Sequence, residues 1–144
     1  MNLQEMQDRM EIRELTDQFA NLADTREVDK QVELFLPDGK LEFQMGFDGE
    51  VKNIIGREAL LEAFGRTVIP AKNVYHLNGQ QTLTSYSENE AKGIAYCQAT
   101  LVNTKDGKDV TTTNYVRYTD HYVKVDGKWY IKQRRTTFLF AETR

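Results

Sequence analysis

Two Asp-Gly dipeptides restrict this chain more than anything else in it: Asp106-Gly107 and Asp126-Gly127, each set between long stretches in which apolar and polar residues alternate. Asp-Gly suits the left-handed backbone of a two-residue type I′ hairpin turn. Such a turn fixes which residues oppose one another, and opposite residues share a face of the sheet. Counting from Asp126-Gly127, Val125 opposes Lys128, Lys124 opposes Trp129, Tyr122 opposes Ile131, Asp120 opposes Gln133, and Tyr118 opposes Arg135. One face then carries Trp129, Ile131, Tyr122, Tyr118 and Val116, and is expected to be covered. The other carries Tyr130, Lys132, Arg134, Thr119, His121 and Arg117.

Counting from Asp106-Gly107 pairs Ala99 with Asn114, Cys97 with Val116, and Ala95 with Tyr118. The middle of the covered face is thus a row of small residues. Interiors pack to crystal-like density, so this row implies either a closely approaching helix or a ligand cavity. Four long strands are predicted, at 73–85, 91–104, 109–125 and 128–140. A four-residue loop at Ser87–Glu90 would set Thr82 against Ala95, Gln80 against Cys97 and His76 against Leu101. His76, Asn78 and Gln80 would then point inward, and a polar row in an apolar concavity is how ligand pockets look. A slip of one residue would put all three in solvent.

The first half reads differently. Ile12, Leu15, Phe19 and Leu22 follow helical spacing and stop near Ala23-Asp24. A second helix fits Glu27–Leu36 and is stopped by Pro37. Short strands follow at Leu41–Met45, with Leu41, Phe43 and Met45 alternating, and at Val51–Ile55. A third helix begins after Gly56 with Leu60, Leu61, Phe64 and Val68 inward, and Pro70 closes it. Helices first and sheet afterwards define a single α+β domain over residues 1–144.

Composition narrows the chemistry. Two histidines and one cysteine are too few for a multi-histidine or cysteine-rich metal centre. A net charge of −3, with no basic stripe, argues against nucleic acid. No apolar run reaches the ~18–20 residues of a membrane span, and the charged N-terminus lacks a signal-peptide core. A cytoplasmic location is the expectation.

His76 is the best candidate for acid/base work, since imidazole titrates near neutrality. His121 shares the outer face with Lys132 and Arg134 and reads as surface or interface. Asp24 ends the first helix, where a carboxylate opposes the macrodipole. It is either a turn residue or a group placed to orient a histidine. Cys97 has no basic neighbour in sequence and reads as an inert pocket or core residue. Arg135 faces inward by the register above and would need an anionic partner. Tyr118 is a candidate pocket hydroxyl.

Several segments carry a resemblance: FANLADTREVDKQVELFLPDG, IIGREALLEAF, YHLNGQQTL and YVRYTDHYVKVDGKWYIKQRRTTF. Together they resemble the SnoaL-like subgroup of the nuclear transport factor 2-like superfamily. The resemblance implies a cone: a curved mixed or antiparallel sheet of about six strands forming an α+β barrel, closed by three helices over a deep pocket. It also implies elimination by an Asp–His dyad without metal or organic cofactor, as in scytalone dehydratase, bile-acid dehydratases and the lindane dehydrochlorinase. Asp24 and His76 match the dyad positions. Cys97 stands where scytalone dehydratase has a second histidine, Ala23 where it has a tyrosine, and Val116 and Tyr118 where it has Ser and Asn. Scytalone is therefore not the expected substrate. Phe43 replaces the carboxylate that steroid isomerase relatives need.

The resulting expectation is a cofactor-free lyase acting on a small, mostly apolar, cyclic or aromatic molecule. His76 and Asp24 would be catalytic, with Phe19, Asn78, Cys97, Asn114, Val116, Tyr118 and Arg135 contacting substrate. Tyr118, Asn114 or Arg135 would stabilise oxyanion charge. A non-catalytic binding or assembly module is the alternative from another class. Polyketide cyclisation, isomerisation or epoxide hydrolysis are alternative pocket chemistries. A homodimer or homotrimer is expected through the outer sheet face, burying Tyr115, Arg117, Val123, Tyr130 and Phe138.

Overall fold

The computed structural model describes residues 1–144. Helix α1 spans Leu3–Asp24. Asn2 caps it by accepting from the Glu5 amide at 2.8 Å. Ile12, Leu15 and Phe19 form its buried stripe, widened by Thr16, Ala20 and Ala23. Burying each of the three large side chains contributes about 1.5–3 kcal/mol. Arg26 turns the chain in a left-handed conformation (φ 61°). Its guanidinium donates to the Val68 carbonyl at 3.0 Å and the Ala71 carbonyl at 2.6 Å. Those contacts tie the end of α1 to the far end of the last helix.

Helix α2, Val28–Val32, is shorter than the expected Glu27–Leu36. Phe35 is drawn into strand β1 (Phe35–Met45), where it pairs with Ile131. Pro37 lies inside that strand, in the register shift between Phe35 and Lys40, and stops no helix. Gly39 sits at the same irregularity; a Cβ there would lie 2.8 Å from the Phe35 Cβ. β2 (Lys52–Ile55) and α3 (Arg57–Val68) follow, then β3 (Asn73–Tyr86), β4 (Glu90–Lys105), β5 (Lys108–Val125) and β6 (Lys128–Thr143).

The six strands form one mixed sheet in the order β2-β1-β6-β5-β4-β3, with only β1 and β6 parallel. This is the α+β cone of the nuclear transport factor 2-like fold. The sheet does not close into a barrel as the resemblance implied. β2 and β3 remain edges, and α1 against β3 and β6, with α3 against β1 and β2, cover the concave face instead.

Both Asp-Gly turns have positive φ at each residue and set the predicted registers. Ala99–Asn114, Cys97–Val116 and Ala95–Tyr118 pair as expected. The β5–β6 pairing also holds from Val125–Lys128 to Tyr122–Ile131, and then slips. Lys132 is an extra residue, so His121 pairs with Gln133 and Asp120 with Arg134. A β-bulge of this kind moves every later side chain to the other face. Arg134 therefore points inward and is 1% exposed, and Arg135 points outward to Glu42 at 3.2 Å.

A second slip between Tyr115 and Val116 makes Leu139 the extra residue. Phe138 packs against the core, not on the outer face as predicted, and Phe140 stacks on Tyr115 outside. Between β3 and β4 a bulge at Gly79-Gln80 sets His76 against Ala99, Asn78 against Cys97 and Gln81 against Ala95. His76 and Asn78 keep their inward parity. Gln81 takes the inward place predicted for Gln80 and bonds the Tyr122 hydroxyl at 3.2 Å.

Two apolar stripes also differ. Leu61 is 39% exposed, since it lies about 100° round the helix from buried Leu60. In the Leu41–Met45 stretch of β1, Glu42 and Gln44 are the buried residues, held by Gln133 and Thr137 of β6, and Met45 is exposed.

Candidate active site

The last residue of α1 meets β3. The ring of His76 contacts Asp24 through Nδ1, 2.7 Å from Oδ1, and the His76 backbone N–H donates to Oδ2 at 3.1 Å. One residue thus engages both carboxylate oxygens. The pair is largely withdrawn from solvent, with the His76 side chain 12% and Asp24 27% exposed. A carboxylate only accepts, so Nδ1 carries the hydrogen, and in the neutral ring that leaves Nε2 as the nitrogen with a free lone pair. A carboxylate at a helix C-terminus gains nothing from the macrodipole; these two donors, with the Arg26 clamp beside them, hold it there.

His76 lines a cavity of about 170 Å³ under the helices. α1 contributes Phe19 and Ala23, α3 contributes Phe64, Thr67 and Val68, and Gln31 enters from α2. The sheet supplies Leu41, Ala99, Leu101, Asn114, Val116, Tyr118, Thr136 and Phe138. Cavities of about 150 Å³ hold a benzene ring, so the space suits a single small ring. A larger hollow, about 440 Å³, lies on the outer sheet face against Leu77, Gly79, Tyr96, Tyr115 and Phe140. No His, Asp or Glu lines it, so the smaller cavity, which His76 borders, is the candidate site.

The predicted contacts divide. Phe19, Asn114, Val116 and Tyr118 line the cavity with His76. Asn78 points inward but does not line it, because its amide donates to the Thr16 carbonyl and to Asp17 on α1. Cys97 is buried in the packed core beside Tyr118, and burial pushes its thiol pKa up. Of the small-residue row only Ala99 borders the cavity; Ala95 and Cys97 are close-packed. Arg135 lies outside with Glu42, removed by the bulge at Lys132.

Arg134 occupies the interior in its place. It pairs with Asp120 through two bonds of 2.9 Å, and Asp120 also accepts from the Tyr122 hydroxyl. The guanidinium lies 3.7 Å from the Tyr118 ring centroid and 4.5 Å from that of Phe19. It therefore backs two walls of the cavity without lining it. Burial opposes its charge, and the Asp120 carboxylate outweighs that and holds it protonated. Burial pushes the Tyr118 phenol well above its ordinary pKa, so it stays a neutral hydroxyl.

Sequence reasoning missed Gln31, Thr67 and Thr136. A one-turn helix has no periodicity to place Gln31, and Thr136 faces inward only because of the bulge. His121 pairs with Glu90 on the outer face. No group of three or more His, Cys, Asp or Glu side chains converges to hold a metal ion. No helix is long and apolar enough to cross a membrane.

This fold and site define a pocket protein of the α+β cone class. The SnoaL-like domain model matches residues 4–135, and the chain belongs to that family. Among solved structures, a provisionally assigned scytalone dehydratase from Novosphingobium aromaticivorans superposes with a TM-score of 0.82 at 22% identity, covering 99% of this chain and 91% of that one. A provisionally assigned aromatic ring hydroxylase from the same organism gives 0.80 at 21% identity, covering 96% and 94%. The hexachlorocyclohexane dehydrochlorinase LinA-type3 of Novosphingobium barchaimii gives 0.79 at 16% identity, covering 100% and 94%. At these identities the likeness shows the fold, and the differing activities named on it do not transfer.

Proposed function

We propose that this chain is a cofactor-independent lyase that eliminates a small leaving group from a single-ring, mostly apolar molecule. The observation carrying this reading is the direct Asp24–His76 contact at the wall of an unfilled apolar cavity. His76 Nε2 takes a proton from the carbon next to the one bearing the leaving group. The C–H electron pair becomes the new double bond, and the bond to the leaving group breaks. Asp24 stabilises the imidazolium. If hydroxide leaves, the proton now on Nε2 passes to it and water departs; if chloride leaves, the imidazolium gives its proton to solvent; either way the ring returns to its starting state. Asn114 offers amide donors for developing oxyanion charge, and Arg134 fixes the walls without touching substrate. The names of the structural relatives, a dehydratase and a dehydrochlorinase among them, agree with elimination as the reaction class.

The reading is tested with a β-hydroxycyclohexanone, which would lose water to give a conjugated enone, and with a chlorocyclohexane, which would release chloride. The protein accelerates at least one of these reactions and His76→Ala abolishes it with the thermal midpoint nearly intact. A fully active variant contradicts the proposal. A binding module without chemistry would accelerate neither. The same reading includes a homodimer or homotrimer formed through the outer sheet face, supported by the exposed Tyr75, Leu77 and Phe140 there.

A further inference from the structure

Gln31 is the one buried polar side chain of the cavity wall left with an unsatisfied atom. It is 2% exposed, on the same face of α2 as Val28 and Val32. Its Nε2 donates to the Phe19 carbonyl at 3.2 Å. A carbonyl only accepts, so the amide cannot be reversed without setting two oxygens against each other. Oε1 is therefore fixed as the amide's free acceptor; it is buried and has no donor from the protein. A buried acceptor left unpaired is destabilising, and an apolar residue between two valines would have avoided it. The rest of the wall is chiefly apolar, and none of its polar side chains, Thr67, His76, Asn114, Tyr118 and Thr136, bonds Oε1.

We infer that Gln31 is a specificity-determining residue whose Oε1 accepts a hydrogen bond from an O–H or N–H group on the ligand. The terminal amide torsion is soft, so a small rotation brings the oxygen to a ligand while the Phe19 contact is kept. A hydrocarbon or haloalkane carries no such donor; a hydroxylated ring does. This rests on reading the cavity as a ligand site and sharpens the substrate class to hydroxyl- or amino-bearing rings.

The test compares phenol with fluorobenzene, which has nearly the same shape but no donor, by ligand-observed NMR on the wild type, Gln31→Met and Arg135→Met. In Gln31→Met the ratio of phenol to fluorobenzene affinity falls by about tenfold or more, and the thermal midpoint without ligand does not fall. Arg135→Met, outside the cavity, keeps the wild-type ratio, and because the comparison reads binding alone, failure of the elimination proposal leaves this result unaffected. The Gln31 side-chain amide signal of the wild type, which needs no variant, shifts with phenol and not with fluorobenzene. An unchanged ratio in Gln31→Met, an amide signal indifferent to phenol, or no phenol binding by the wild type would overturn the inference.

Discussion

Asp24 receives two hydrogen bonds from His76, one from the ring and one from the backbone. The two atoms of His76 are rigidly related through one residue of β3. The carboxylate is therefore positioned by main chain and imposes the tautomer on the side chain. Asp24→Asn keeps the shape but lets an amide donor face Nδ1, which moves the ring hydrogen to Nε2. Turnover is expected to fall about a thousandfold to ten-thousandfold, with little change in thermal midpoint. Steady-state kinetics beside a melting curve check both halves.

The bulge at Lys132 makes Arg134 and Arg135 opposites. Arg134→Met leaves Asp120 buried and unpaired and is expected to destabilise by about 3–5 kcal/mol. Arg135→Met removes a half-exposed contact to Glu42 and is expected to change stability by no more than about 1 kcal/mol. Urea titration of the two variants separates them; equal effects would mean the register had not shifted.

Acid and alkaline stability should both trace to the cluster around Asp8. Burial works against the Asp8 charge, but bonds from Tyr86, Trp129, Lys124 and Gln4 outweigh it and lower the pKa. The stability this contributes is complete above the ordinary carboxylate pKa of about 4 and is lost as the pH falls through the lowered value. The bond to Asp8 is also the main cause pushing the Tyr86 phenol up to about 12. That contribution is complete below the ordinary phenol pKa of about 10 and is lost as the pH rises through about 12. Melting curves across pH should show both limbs in the wild type. Asp8→Asn should flatten the acid limb and Tyr86→Phe the alkaline one.

Phe140 and Tyr115 stack at 4.3 Å on the outer face, with Phe140 58% exposed. Light scattering at micromolar concentration is expected to give a dimer or trimer, and Phe140→Lys to shift it toward monomer. A wild-type monomer would count against the proposed assembly.

The hairpins were legible because a two-residue turn fixes register from within its own few residues. Pairing held for the whole of β4–β5 on that basis. It failed beyond Tyr122 because an extra residue such as Lys132 has no local signature; whether a bulge forms depends on what the displaced side chains find inside. Arg134 finds Asp120 and two aromatic faces, and Gln81 finds Tyr122. The same limit hid Phe138 and Thr136.

The halves of the dyad were legible separately. The apolar stripe of α1 ends at Asp24, and the alternation of β3 survives its bulge at His76 because that slip lies beyond it. Their meeting depends on α1 crossing β3, which no local pattern encodes. Gln31 was invisible for another reason: five residues of helix give no period, and its significance lies in a partner it lacks.

Asp24, in contact with Nδ1 of His76, should leave the neutral ring with a bare Nε2 for the cavity. Nitrogen-15 NMR of the histidine rings at a pH where His76 is neutral reads this directly. Hydrogen is expected on Nδ1 and none on Nε2, with the Nε2 signal moving when phenol is added. A His76 protonated on Nε2, or an Nε2 signal blind to phenol, would contradict it.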